Sequence, residues 1–113
     1  MMMQILAHIS NHRMNQKKYI GIDKDPHGAM NPTGNIIRDA WLFGLIPETE
    51  TCEGWTRQRV DALYDQVTKE WEAYGHLASN LPPELARKHR EVYDAAVARA
   101  RDLGWDPELG DND

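Results

Sequence analysis

One thiol and five histidines are the most reactive side chains in this 113-residue chain. Cys52 lies between Glu50 and Glu53, with Glu48 close by. Neighbouring carboxylates disfavour a thiolate, so the expected role is a small, partly buried side chain in a loop and not a nucleophile. No Cys-His-Asn pattern is readable from the spacing. His8 and His12 are four apart and would share one face of a helix, a spacing that suits a transition metal, but no third ligand stands nearby. His27, His76 and His89 are scattered. His89 falls on an apolar stripe and reads as a hydrogen-bonded boundary residue. His76 follows the end of a predicted helix, where the dipole favours a cation.

The run Asp23-Lys24-Asp25-Pro26-His27-Gly28 has acids at its first and third positions and glycine at its sixth, as at the opening of a calcium-binding loop. The rest departs from that pattern. His27 stands at position five, Asn31 at nine, and Gly34 at twelve, where a bidentate glutamate belongs. A turn rich in Asp, Pro and Gly is the simpler reading. Asp23, Asp25, His27 and Cys52 are the residues from which a metal-dependent or ligand-binding module would have to be built. No cofactor is expected: there is no Gly-rich phosphate loop and no Gly-x-Ser-x-Gly elbow. The carboxylate pairs Asp61/Asp65 and Glu70/Glu72 fall on predicted solvent faces.

Three helices are available to position these groups. Asn31 as N-cap and Pro32 at the first position predict a helix over about 32–43, with Ile36, Ile37, Ala40 and Trp41 on one face and Arg38 and Asp39 on the other. Gly34 weakens its first turn, and Gly44 closes it. Val60, Tyr64, Val67, Trp71 and Tyr74 are spaced 4, 3, 4, 3. With Leu63 alongside, they predict an amphipathic helix over about 56–74, ended by Gly75. A third helix is predicted over about 83–103, started by Pro82 and Pro83 and closed by Gly104, with Trp105 folding back towards Ala100. Tyr19-Ile20-Gly21-Ile22 reads as a short strand, and Met1 to Ile9 as a strand or a helical turn. The expected fold is mainly α: a three-helix domain with an irregular or partly extended N-terminal arm. It forms one domain over 1–113, with the arm at 1–31, the helical body at 32–109 and a frayed tail at 110–113.

Composition narrows the function classes. Hydrophobic residues make up 41% and charged residues 27%, which suits one globular core. No apolar run is long enough to span a bilayer. The N-terminus is too short and polar for a secretory signal, and a single cysteine fits a reducing compartment, so a cytoplasmic location is expected. The net charge is −5. Residues 35–113 hold nine Lys/Arg against sixteen acids, whereas residues 1–34 hold four against two. An acidic body disfavours a broad nucleic-acid footprint, and only the basic arm around Arg13, Lys17 and Lys18 offers one.

The segment Gly44 to Trp55 is longer than packed helices need as a connection. It places Ile46 and Trp55 among Glu48, Glu50 and Glu53, an apolar anchor ringed by acids. The simplest role for such a loop is to cap the core with Ile46 and Trp55. The functional alternative is a contact surface for a protein with a basic patch. The expected function is a non-catalytic accessory or adaptor protein acting through protein–protein binding. A metal-dependent or ligand-binding module and a nucleic-acid-associated protein are the alternatives. The wide apolar stripes also suggest a homodimer.

Overall fold

The computed structural model describes residues 17–105. Met1 to Ile9, the His8/His12 pair, Arg13 and the tail at 110–113 lie outside the described residues. The protein is mainly helical, built on α1 (Pro32–Leu42), α2 (Arg57–Glu72) and α3 (Pro83–Asp102), with a 3-10 turn at Ala78–Asn80. No helix of the described residues is long and apolar enough to cross a membrane.

The helix ends follow their local chemistry. The Asn31 side chain accepts the Gly34 N–H at 2.8 Å, and Pro32 takes the first position, where no amide partner is needed. Thr56 caps α2 by accepting from the Arg59 N–H at 3.2 Å. All three helices close the same way, past Gly44, Gly75 and Gly104. The N–H groups of Leu45, His76 and Trp105 donate back to Ala40, Trp71 and Ala100 at 2.9–3.0 Å.

α1 is central and packs against both α2 and α3. Gly34, read from sequence as a weak point, is a packing requirement. A Cβ there would lie 2.0 Å from the Ala29 carbonyl oxygen, so only glycine lets that carbonyl approach. The carbonyl belongs to a turn, Pro26–Ala29, in which His27, Gly28 and Ala29 all adopt left-handed φ values of 57°, 69° and 58°. The calcium-like run therefore ends in a left-handed turn.

Arg38 secures that turn. The sequence placed it on the polar face of α1, yet it is 3% exposed and its guanidinium donates to the Gly28 carbonyl and, at 3.3 Å, to the Asn35 side chain. Burial lowers its pKa from the ordinary guanidinium value.

The core holds Ile22, Ala29, Ile37, Ala40, Cys52, Trp55, Leu63 and Val67. Half of these come from outside the three helices, and two of them, Ile22 and Ala29, come from the segment that precedes α1. The segment 19–22 pairs with 51–55 in antiparallel fashion: Tyr19 N–H to the Trp55 carbonyl at 2.8 Å, Gly54 N–H to the Tyr19 carbonyl at 2.8 Å, and Ile22 N–H to the Thr51 carbonyl at 3.0 Å. The short strand expected at Tyr19–Ile22 does not form a regular ladder. Gly21, at φ 106°, bends the chain into a turn before a ladder can extend.

The buried line of α2 is Leu63 and Val67. Tyr64, expected on the seam, points outward and is 53% exposed. On α3 only Ala100 is fully buried, and Leu103, the residue that caps its end, is half exposed.

Candidate docking groove

The residues singled out by sequence fall into separate environments. The Asp25 carboxylate accepts from the Tyr19 hydroxyl at 2.6 Å and from the Asn31 amide at 3.1 Å, which ties the incoming chain to the cap of α1. Asp23 and His27 are exposed. Cys52 is fully buried, and burial, followed by the Glu50 charge, pushes its thiol up to about 11. A buried thiol with so high a pKa is a poor nucleophile. Among the described residues no group of three or more His, Cys, Asp or Glu side chains is placed to hold a metal ion.

The Gly44–Trp55 linker folds over the core. Trp55 is 8% exposed and belongs to the core cluster, and Ile46 packs partly buried against that cluster. The Trp41 indole donates to the Glu50 carbonyl at 3.0 Å, and the Glu50 carboxylate accepts the Cys52 N–H at 2.9 Å. Glu48 pairs with Lys88 at 3.0 Å and Glu53 with Lys24 at 3.3 Å, both on the surface. The acids therefore do not ring an exposed tryptophan. Each turns to a different neighbour.

A groove of about 710 Å³ opens on the other side of Trp55, between residues 17–19, the start of α1 and the first half of α2. Its apolar lining comes from Tyr19, Pro32, Ile36, Trp55, Val60 and Tyr64. The Arg59 guanidinium lies over one face of Trp55, 3.8 Å from its ring centre, and Trp55 is 8% exposed, so little of the ring is open to the groove. Lys17, Lys18 and Arg57 stand at the rim, opposed by one acid, Asp61, which Arg57 meets at 3.6 Å. The first residues of α1, Pro32 and Thr33, and of α2, Arg57, are among its lining.

A second feature, absent from the sequence reading, joins the three helices. Asp39, placed on the polar face of α1 by periodicity, accepts from the Trp71 indole at 3.0 Å and the Tyr93 hydroxyl at 2.9 Å. Burial and this carboxylate together push the Tyr93 phenol well above its ordinary pKa. His89 packs edge-on to Trp71 and tilted against Tyr93, at 6.2 and 4.8 Å between ring centres. A signal for this was present, because buried Trp and Tyr need a partner for their polar ends. The groove had a fainter one: Arg57, Asp61 and Tyr64 recur at helical spacing on one side of α2. No family model matches this chain, and no curated protein and no solved structure matches it.

Proposed function

We propose that this chain is a non-catalytic adaptor that acts by binding another protein, and that the groove beside α2 is the contact surface. The observation that carries this reading is Tyr64. It is a large aromatic on the predicted inner seam of its helix, yet it is half exposed at the mouth of an apolar floor formed with Ile36 and Val60. Solvent-facing aromatics beside a concave apolar surface are typical anchors for a partner. The volume lies in the range of ligand and peptide sites.

The linker residues Ile46, Glu48, Glu50, Glu53 and Trp55 are a weaker basis for docking. Ile46 and Trp55 are committed to the core, and Glu50 to the Cys52 amide. Trp55 alone is shared between the linker and the groove. A cytoplasmic setting belongs to the same proposal and rests on the single buried thiol.

Co-purification with the tagged full chain tests the reading. Tyr64→Asp should lose the partner recovered by the wild type while keeping the wild-type melting temperature. The Glu48→Lys, Glu53→Lys double variant should keep that partner. The opposite pattern would move the contact to the linker, and loss in neither variant would remove both surfaces.

A further inference from the structure

We infer that the groove receives an acidic segment of its partner, one that carries an aliphatic or aromatic anchor flanked by aspartate or glutamate. The inference rests on the docking role proposed above and names the chemistry of what docks. Three cations, Lys17, Lys18 and Arg57, stand at the rim against the single carboxylate of Asp61. The Arg57 side chain is 82% exposed, and its bond to Asp61 is long, at 3.6 Å, so its charge remains available to a ligand.

Elsewhere the charge runs the other way. Residues 35–113 hold nine Lys/Arg against sixteen acids, so the chain's net charge does not favour an acidic ligand, and attraction has to come from a local excess of cations such as the one at this rim. The floor supplies the anchor site, with Ile36 and Val60 half-buried and Tyr64 open beside them.

Single-stranded nucleic acid is also anionic, but it needs open ring faces to stack on. Arg59 covers one face of Trp55, and Trp55 is 8% exposed. Tyr64 is the one half-exposed ring of the lining, with Tyr19 only partly open beside it, and one open ring suits a single anchoring side chain better than a run of stacked bases.

Display selection of random peptides on the full chain tests this directly. The enriched sequences should place Asp or Glu around a Leu, Ile or Phe. A synthetic copy of the best one should bind the Lys17→Glu, Lys18→Glu variant and the Tyr64→Ala variant at least about tenfold more weakly, with melting temperatures unchanged. Affinity should fall as salt rises. Enrichment of basic or neutral peptides that still depend on Tyr64 would overturn the acidic partner and leave the docking role standing. Enrichment of nothing would remove both. An oligothymidylate that binds more tightly than the selected peptide and displaces it would assign the groove to nucleic acid instead. A photocrosslinking amino acid at position 64 should capture the selected peptide. Capture of this chain's own residues 1–16, or of a second copy, in its place would overturn the proposal.

Discussion

Trp71 on α2 donates its indole N–H to Asp39 on α1 at 3.0 Å, across 32 positions of sequence. Tyr93 on α3 reaches the other oxygen of the same carboxylate at 2.9 Å. One side chain thus satisfies a donor from each outer helix. Asp39→Ala leaves both donors without that acceptor, at a cost of about 1–3 kcal/mol for a half-buried site. Tyr93→Phe removes one donor and leaves Asp39 its Trp71 bond, so it should cost about 1 kcal/mol. Urea unfolding of the two variants should rank them in that order. Equal midpoints for Asp39→Ala and wild type would mean that water replaces both bonds without loss.

Gly34→Ala should destabilise, against the usual trend. In an exposed helix interior the change gains up to about 1 kcal/mol. Here the new methyl would meet the Ala29 carbonyl oxygen at 2.0 Å, a backbone atom fixed by the left-handed turn. Overpacking of this kind costs about 1–3 kcal/mol or more. A thermal melt reads the sign directly, and a raised melting temperature would show that the turn can move away.

Two substitutions one turn apart define the orientation of α2. Val67 is 2% exposed and Tyr64 is 53% exposed. Val67→Asp should cost several kcal/mol by burying an unpaired charge, whereas Tyr64→Asp should change stability by less than about 1 kcal/mol. Chemical denaturation of both variants checks the pair. Similar losses in both would place Tyr64 on the packed seam after all.

Alkaline pH should destabilise the fold from about pH 9 upward. Burial raises the Cys52 thiol from 9.0 to about 11. The folded state therefore keeps the proton after the unfolded chain has lost it. That contribution is complete below pH 9 and is lost as pH rises towards 11, and its size is on the order of 2–3 kcal/mol. The Tyr19 and Tyr93 phenols are raised too, first by burial, and act in the same direction at higher pH. Stability measured across pH 8–11 should fall more steeply in the wild type than in Cys52→Ala. Parallel curves would show that the thiol does not contribute.

Periodicity and end signals located the helices because those signals are local. Asn31-Pro32 and Thr56 mark starts, and Gly44, Gly75 and Gly104 mark ends. The remaining features depend on contacts distant in sequence. Ile22 and Cys52 give no periodic signal, yet both enter the core because segments 19–22 and 51–55 pair across the top of it. Arg38 lies on the polar side by spacing and is buried because a left-handed turn, ten residues away, presents it with a carbonyl. The groove was hidden for the same reason. Lys17, Ile36 and Tyr64 are unremarkable separately, and only the fold sets them around one space.

The last expectation separates the three linker acids by what each one holds. Glu48 and Glu53 make exposed ion pairs with Lys88 and Lys24, and such pairs contribute about 0–1 kcal/mol. Glu50 is half-buried, and its carboxylate accepts the N–H of Cys52, a core residue held at a left-handed φ of 63°. Loss of that bond strands an amide, so Glu50→Lys should cost about 1–3 kcal/mol. Glu50→Gln retains an acceptor and should recover most of it. Reversing Glu48 and Glu53 together should shift the denaturation midpoint far less than Glu50→Lys alone. If all three reversals prove equally silent, the linker is held by its backbone bonds, the Trp41 indole and the packing of Trp55 and Ile46, and the Glu50 carboxylate contributes nothing measurable.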